Sequence, residues 1–322
     1  MRRIRIGERT LDLDRLRPRP ASFPWGSPTH PGGVDVPEEE RRTGVDYDTA
    51  WSRRYPTRVA RAFFLEGVTR PLVHAVIPPN VVGLDLLDGL EPPVIFAANH
   101  ASHLDTPLVL STLPRRFRHR AVVAAAADYF FDTRWKGAVW SFALAAIPME
   151  RTRVSRRSAD LAAELIGDGW SLVIYPEGGR TPDGWAQPFH GGAAYLSVRT
   201  GAPLVPVHIA GTRRALGRGA RRLRPGPTRV TFGRPLTAGP GEDARRLAGR
   251  LEAEVAALAD EGRTDWWQAR QRAAAGHTPP LAGPDAAPWR RTWALGPATD
   301  TERRRWPELG RADAERSRRR RD

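Results

Sequence analysis

The sequence predicts an α/β fold: a single domain with a central mixed, largely parallel sheet flanked by helices and preceded by an amphipathic helical segment. Short apolar runs of strand length alternate with helical segments from about residue 81 to residue 262. Several polar motifs directly follow the apolar runs, in turns where side chains can reach a substrate. The chain has 322 residues, enough for one large α/β domain.

The strands are predicted from short apolar runs that end in polar or glycine-containing turns. The run at 94–98 ends at Asn99, and the run at 121–127 consists mostly of small residues. The predicted strands are 81–87, 94–98, 121–127, 146–149, 172–175, 204–209 and 229–232. Pro206 lies inside one of them and favours an edge position or a special bend, because proline cannot donate to a sheet ladder.

The helices are predicted from apolar residues at helical spacing and from their end signals. Proline stands near the start of the segment 108–113, and Gly167 closes the amphipathic segment 158–166. The segment 135–146 is apolar and begins beside Lys136; it either lines an acyl channel or packs in the core. A further helix covers 191–200, and a last helix shows one apolar face made of Leu247, Leu251, Val255 and Leu258.

Two terminal segments differ from the central region in composition. Residues 1–45 and 263–322 are rich in arginine, with proline or tryptophan, and are predicted to be disordered basic extensions. Residues 46–80 form an amphipathic helical segment, since Tyr55, Val59, Phe63 and Val68 recur with arginines between them. This segment either lies at a membrane interface or packs on the domain as an ordinary amphipathic helix. The tryptophans of the last segment offer a second way to contact anionic lipid.

The composition restricts the possible partners. The chain has no cysteine, which excludes disulfides, thiolate metal sites and a cysteine nucleophile. Its formal net charge is +15, although Lys136 is the only lysine and the arginine excess partly reflects a GC-rich bacterial genome. No nucleic-acid-binding motif is visible, so an anionic membrane surface is the expected partner. Without a signal sequence or an apolar run of spanning length, we expect a peripheral protein on the cytoplasmic face of the cell membrane.

The segment Asn99–Pro107, with the sequence NHASHLDTP, is the most informative motif. It places His100 and Asp105 five positions apart between a predicted strand and a predicted helix. A histidine paired with a carboxylate can remove a proton from a hydroxyl group, because the carboxylate fixes the tautomer and stabilises the imidazolium. The sequence therefore predicts His100 and Asp105 as a general-base pair.

Other uses of this motif are weaker. Ser102 could act as a nucleophile beside His100, but the chain lacks the Gly-x-Ser-x-Gly elbow. His100, His103 and Asp105 could ligate zinc, but no further ligand cluster stands out. We therefore expect neither a metal nor a cofactor.

Three more motifs follow predicted strands or lie within one. In YPEGGRT, glycines free the backbone N–H groups after a strand, and Arg180 offers a planar fork for a phosphate or carboxylate. In IPMER, Arg151 follows an extended apolar segment. The fourth motif, LVPVHIAG, is a buried strand. The alternative for Arg180 is a surface ion pair with Glu177.

In their order along the chain, NHASHLDTP, IPMER, YPEGGRT and LVPVHIAG resemble the four blocks of the glycerophosphate acyltransferase family, which includes 1-acyl-sn-glycerol-3-phosphate acyltransferases. NHASHLDTP resembles the family's His-x4-Asp motif, and YPEGGRT resembles its Glu-Gly block. PFHGGAAYL, at 188–196, resembles the segment that follows the Glu-Gly block, and the whole resemblance covers about residues 81–258.

The resemblance implies an O-acyltransferase that uses acyl-CoA or acyl-ACP as donor and a lysophospholipid as acceptor. The implied reaction converts 1-acylglycerol 3-phosphate to phosphatidic acid. It implies catalytic roles for His100 and Asp105 and binding of the acceptor by a second set of residues: Arg151, Glu177, Gly178, Gly179 and Arg180.

The chain departs from the family pattern at two places near the acceptor. Gly179 stands where the family usually has threonine, and His190 and Gly191 stand where lysines are frequent. Glycerol 3-phosphate or another lysolipid therefore remains an alternative acceptor. A non-catalytic protein that binds membranes or polyanions is the alternative of a different class, and retention of the His/Asp pair argues against it.

Overall fold

The computed structural model describes residues 3–6, 9–12, 43–150, 156–220 and 222–294. The chain forms two compact units, Met1–Arg41 and Arg42–Asp322. In the first unit, strands β1 (Arg3–Ile6) and β2 (Arg9–Asp12) pair as an antiparallel hairpin. Over these two strands the structure differs from the predicted disorder of residues 1–45. Residues 3–6 alternate arginine and isoleucine with the period of a strand, and residues 13–42 lie outside the described part of the chain.

A seven-stranded sheet forms the centre of the second unit. Its strands are β3 (Pro79–Val82), β4 (Ile95–Ala98), β5 (Ala121–Ala126), β6 (Ala146–Met149), β7 (Ser171–Ile174), β8 (Leu204–Ala210) and β9 (Thr228–Phe232). The strand order is β3-β9-β8-β4-β7-β5-β6. Among the described strand pairs of this sheet, only β8–β9 is antiparallel. The sheet is thus mixed and largely parallel, and the predicted fold class is confirmed.

Helices pack on both faces of this sheet. They are α1 (Tyr55–Phe64), α2 (Arg70–Val76), α3 (Asp105–Thr112), α4 (Arg115–Arg118), α5 (Ala127–Phe130), α6 (Arg134–Leu144), α7 (Arg156–Gly167), α8 (Gly192–Thr200), α9 (Thr212–Leu216), α10 (Ala244–Glu261), α11 (Trp266–Ala274) and α12 (Pro288–Ala294). A π-type turn, Leu65–Thr69, joins α1 to α2.

Strand β4 divides the core between the two faces of the sheet. Phe96 and Ala98 face one cluster together with α3, whereas Ile95 and Ala97 face a second cluster together with α7, α8 and α10. All four residues are fully buried. A strand buried on both faces reads as a continuous apolar run, which is why this strand is readily predicted.

The first predicted strand, 81–87, is shorter in the structure. Strand β3 ends at Val82, and Leu84–Leu87 forms a 3-10 turn. Gly83 has a φ of +78° and lies close to Phe232. A Cβ atom at Gly83 would be 2.2 Å from the carbonyl oxygen of Phe232. The glycine therefore ends the strand by turning into a conformation that other residues rarely adopt.

The prediction of an edge position for Pro206 is wrong, because β8 lies between β4 and β9. The alternative of a special bend fits better. On β8, Leu204 and Val207 are three positions apart, whereas their partners Leu236 and Phe232 are four positions apart. The neighbouring segment therefore has one extra residue at this point. Pro206 occupies this irregular step, where its carbonyl oxygen accepts from Gly233 N at 2.8 Å.

The last predicted segment, 263–322, also differs from the structure over its described part. Helix α11 packs against α10, and residues 281–291 contact the loop around Trp185. Asp265 caps α11 by accepting from Gln268 N at 2.8 Å. Composition alone suggested disorder here, but a capped helix and a tryptophan-centred contact order this stretch. Residues 295–322 lie outside the described part of the chain.

Candidate active site

The motifs NHASHLDTP and YPEGGRT begin at the ends of two neighbouring strands. Strand β4 ends just before Asn99 and His100, and β7 ends just before Tyr175, Pro176 and Glu177. The two strands are parallel and hydrogen-bonded to each other, so these residues leave the sheet at the same edge. The carboxyl edge of a parallel sheet is a common position for binding sites.

His100 and Asp105 form a direct pair. Nδ1 of His100 lies 2.8 Å from Oδ2 of Asp105. The aspartate side chain is fully buried and the histidine side chain is 14% exposed. Because Nδ1 is held by the carboxylate, Nε2 is the ring nitrogen available to a ligand.

The local backbone fixes the aspartate. Asp105 opens α3, and its Oδ2 also accepts from the backbone N–H groups of Ala101 and Ser102, at 2.7 and 2.8 Å. The positive end of the helix dipole favours the negative charge here. Oδ1 of Asp105 is buried without a hydrogen-bond partner among the described residues. The carboxylate is therefore held on one side only, by three donors.

Tyr175 fixes the plane of the imidazole. Its ring stacks on His100 with a centroid distance of 4.1 Å and an interplanar angle of 20°. The Tyr175 hydroxyl lies 3.0 Å from Oγ1 of Thr106 in the first turn of α3. Burial raises the pKa of Tyr175 well above its usual value, and the negative charge of Asp105 acts in the same direction. The tyrosine is thus a neutral platform for the imidazole of His100.

Glu177 connects the two motifs. Its Oε1 accepts from the backbone N–H of His100 at 2.7 Å, and its Oε2 accepts from the backbone N–H of Gln187 at 2.8 Å. The residue is 2% exposed. Burial raises the pKa of Glu177 to about 7, although the two N–H donors favour the ionised form. We therefore assign Glu177 to the interior of the site and not to a surface pair with Arg180.

Further backbone contacts hold the histidine loop. Thr181 N donates to the carbonyl oxygen of His100 at 3.0 Å. The Asn99 side chain exchanges two hydrogen bonds with the backbone of Ile209 on β8, at 3.0 and 2.7 Å. The motifs NHASHLDTP, YPEGGRT and LVPVHIAG consequently meet around His100.

A cavity of about 560 Å³ opens beside the pair. Its polar end includes His100, Glu177, Arg180, Gln187 and His190. Its apolar wall contains residues from three strands and two helices, namely Val123, Ala125, Trp140, Leu144, Ala146, Met149, Ile174 and Ala193. Since Trp140 and Leu144 belong to α6, the structure favours the cavity-lining interpretation of this helix over a purely core position.

The two alternative uses of the histidine motif do not fit the geometry. Ser102 is fully buried, and its hydroxyl donates to the carbonyl oxygen of Leu216 at 2.6 Å. The ring of His103 stacks on Tyr129 at 5.6 Å. Across the described ranges, no group of three or more histidine, aspartate or glutamate side chains is arranged to hold a metal ion.

The predicted acceptor-binding residues are only partly observed. Gly178, Gly179 and Arg180 all line the cavity, and Gly178 has a φ of +70°. A Cβ atom at Gly179 would meet nothing within 4 Å, so space does not explain why glycine replaces threonine there. Arg151 lies outside the described residues.

Sequence reasoning missed Tyr175, Thr106 and Gln187. The first two contact each other across 69 positions, and Gln187 contributes through its backbone N–H. Tyr175 ends an apolar run directly before the Glu-Gly block, which was the one available signal. Nothing in the sequence distinguishes Thr106 or Gln187 from other polar residues beside a motif.

Comparison with known proteins shows a similarity over the central part of the chain. Residues 78–210 match the family model described as Acyltransferase. This range contains His100, Asp105, Tyr175 and Glu177. The predicted resemblance to the acyltransferase family is therefore confirmed over this range.

Several relatives bear a more specific name. The chain is 26% identical over 168 residues to a chloroplastic 1-acyl-sn-glycerol-3-phosphate acyltransferase of Brassica napus, covering 51% of this chain and 46% of the relative. It is 30% identical over 116 residues to human 1-acyl-sn-glycerol-3-phosphate acyltransferase beta, covering 36% of this chain and 40% of the relative. The chain thus spans about half the length of the curated relatives it matches.

One solved structure is also similar. The crystal structure of the 1-acyl-sn-glycerophosphate acyltransferase PlsC from Thermotoga maritima aligns with a TM-score of 0.49 and 21% sequence identity. The alignment covers 64% of this chain and 84% of that one.

Proposed function

We propose that this protein transfers a fatty acyl group from a thioester donor, acyl-CoA or acyl-ACP, to the free hydroxyl of 1-acylglycerol 3-phosphate, yielding phosphatidic acid. The observation that supports this proposal most directly is the His100–Asp105 pair at the polar end of a cavity with an apolar wall. Relatives named for this reaction support the choice of acceptor.

The proposed chemistry needs one base. Nε2 of His100 takes the proton of the acceptor hydroxyl while the oxygen attacks the thioester carbonyl carbon. The carbon–sulfur bond then breaks, and the imidazolium returns the proton to the departing thiolate. Asp105 stabilises the imidazolium throughout, and Tyr175 keeps the ring in plane. The products are an ester and a free thiol.

The remaining residues divide between the two substrates. The apolar wall around Trp140 and Leu144 accommodates an acyl chain, which gains by leaving water. The acceptor phosphate lies at Gly178, Gly179 and Arg180, with Arg151 as a second cation. Glu177 shapes this end of the cavity by holding the backbone N–H groups of His100 and Gln187.

An acceptor screen tests the proposal. Purified protein is incubated with acyl-CoA or acyl-ACP and with lysophosphatidic acid, glycerol 3-phosphate or a neutral lysolipid, and products are identified by mass spectrometry. Phosphatidic acid formed from lysophosphatidic acid supports the proposal. Acyl transfer only to another acceptor would overturn the proposed acceptor, and no acyl transfer with any pair would overturn the enzyme assignment.

Replacing Arg180 with alanine is expected to raise KM for lysophosphatidic acid roughly 10- to 100-fold, since a charge-assisted contact contributes about 1.5–3 kcal/mol. KM for the acyl donor should change little. Steady-state kinetics with each substrate varied in turn measures both values. Arg199→Ala, which removes an exposed arginine on α8, is the matched control. Equal increases in both KM values for Arg180→Ala would contradict a phosphate-binding role.

We also propose that the protein binds an anionic membrane surface peripherally, on the cytoplasmic face, through the helical segment α1–α2. Five apolar side chains of this segment are exposed, namely Tyr55, Val59, Phe63, Val68 and Leu72. They are spaced by four, four, five and four residues. The spacing of five spans the π-type turn, whose extra residue keeps Val68 and Leu72 on the face that carries Phe63.

The opposite side of this segment packs on the domain. Leu65, Val73 and Ile77 are buried in the core. The five exposed apolar side chains, called the exposed stripe below, therefore face away from the core. Helix α6 contacts α1 through the Phe142 and Phe64 rings and exposes Trp135 and Val139. None of the described helices combines the length and apolar character needed to cross a bilayer. An exposed apolar stripe on a strongly basic protein fits the surface of an anionic bilayer.

The double variant Phe63→Ser and Leu72→Ser is expected to bind anionic vesicles at least about tenfold more weakly, because it loses two exposed apolar anchors. Cosedimentation with vesicles containing phosphatidylglycerol measures the binding. The double variant Tyr195→Ser and Val198→Ser, which removes exposed apolar residues of α8, should bind as the unmodified protein does. Equal losses for the two double variants would exclude the stripe as the docking surface.

A further inference from the structure

We propose that residues 280–291 form a strap that positions the acceptor side of the active site, an inference that rests on the proposed function. This segment lies beyond residues 78–210, the range matched by the family model. It contacts the loop 181–187, which follows the Glu-Gly block and leads to Gln187 and His190 in the cavity wall. Three contacts tie the strap to this loop.

The first contact is centred on Trp185. Its indole ring lies against Gly283, where a Cβ atom would come within 2.2 Å of the ring. The indole N–H donates to the backbone oxygen of Arg291 at 2.9 Å, and the guanidinium of Arg263 lies 5.6 Å from the ring centroid. Trp185 is only 8% exposed, so the strap covers it almost completely.

The second contact is an ion pair between the strap and the loop. Nε of Arg291 donates to Oδ2 of Asp183 at 2.8 Å. Oδ1 of the same carboxylate accepts from Trp185 N at 3.0 Å and forms a local turn. The aspartate therefore links the strap directly to the conformation of the loop.

The third contact leads to the base. Ala186 N donates to the backbone oxygen of Leu281 at 3.1 Å. The next residue, Gln187, donates its backbone N–H to Glu177, and Glu177 accepts from the backbone N–H of His100. The two adjacent loop residues Ala186 and Gln187 thus connect the strap to Glu177 and, through Glu177, to the backbone of His100.

This arrangement predicts a selective effect. Gln187 and His190 lie with Arg180 at the polar end of the cavity, whereas the apolar wall is built by β5, β6, β7, α6 and α8. A displaced strap should therefore weaken binding of the acceptor much more than binding of the acyl donor. The strap residues are positioning residues, because they act through the loop and through Glu177.

Two glycines provide a matched pair of variants. Gly283 and Gly276 have φ angles of +74° and +71°, so alanine strains the backbone equally at both. A Cβ atom at Gly276 meets nothing within 4 Å, whereas one at Gly283 collides with Trp185. Gly283→Ala is expected to raise acceptor KM about tenfold with donor KM nearly unchanged, and Gly276→Ala should leave both values unchanged. Asp183→Asn, which weakens the ion pair without added bulk, should raise acceptor KM in the same direction.

Hydrogen–deuterium exchange tests the strap independently of activity. Amides of Ala186 and Gln187 should exchange faster in Gly283→Ala than in Gly276→Ala. Ala186 loses its acceptor on the strap, the backbone oxygen of Leu281, and Gln187 moves away from Glu177 with its neighbour. Equal exchange and equal acceptor KM in the two glycine variants would overturn the strap. If the unmodified protein transfers no acyl group, the proposed function fails, and the exchange comparison still decides whether the strap orders the loop.

Discussion

Replacing His100 with alanine is expected to lower kcat for acyl transfer by ~10²–10⁴-fold, the contribution typical of a positioned general base. The loss follows from the geometry, since Nδ1 is held by Asp105 and Nε2 is the nitrogen available to the acceptor hydroxyl. The variant should fold, because the imidazole makes one side-chain hydrogen bond and one stacking contact. Product formation by mass spectrometry and the unfolding midpoint Tm are the two measurements.

His277→Ala is the control for this experiment. His277 is exposed beyond α11, so its removal should leave both kcat and Tm unchanged. A His100→Ala protein that is folded and fully active would show that the proposed mechanism is wrong. A variant that fails to fold would say nothing about the base, and the aspartate then provides the test.

Asp105→Asn separates charge from shape. The amide oxygen of asparagine can accept the three hydrogen bonds now made to Oδ2, and its NH₂ group would take the position of Oδ1, which has no partner among the described residues. The loop should therefore persist while the imidazolium loses its counter-charge. We expect kcat to fall by roughly 10²-fold or more. The exposed aspartate of α7 offers the control Asp160→Asn, which should retain activity.

The sequence predicted the parts of the site that are local in the chain. His100 and Asp105 are five positions apart in one turn, so their pairing needs only the strand before them and the helix after them. The strands also were predictable, because those buried on both faces read as continuous apolar runs. Most observed bounds differ from the predicted ones by one or two residues.

The contacts that connect distant segments could not be predicted. Glu177 reaches the backbone of His100 across 77 positions, and Asn99 reaches Ile209 across 110. Such contacts depend on strand order, which apolar periodicity does not encode. The strap was missed for a related reason, since its arginine-rich and proline-rich composition suggests disorder and its order comes from Trp185.

The stability of the protein should depend on pH through Glu177. Burial raises the pKa of this carboxyl to about 7, whereas an unfolded glutamate titrates near ~4.3. Between these two values the folded protein binds a proton that the unfolded chain releases, so the free energy of unfolding falls as pH rises. The predicted loss between about pH 4 and pH 7 is on the order of 3 kcal/mol relative to a variant without this group.

Glu177→Gln is that variant, because glutamine keeps the size of the side chain and does not titrate. Denaturant unfolding at several pH values between 5 and 8 should give a free energy that falls with pH more steeply for the unmodified protein than for Glu177→Gln. Glu164→Gln, at an exposed position of α7, should leave the slope unchanged. Parallel pH dependence in the unmodified protein and Glu177→Gln would mean that Glu177 is ionised throughout, held by its two N–H donors in spite of burial. A steeper fall in the unmodified protein would instead mean that Glu177 gains a negative charge near neutral pH. This charge would lie close to His100, the residue that the proposed reaction protonates.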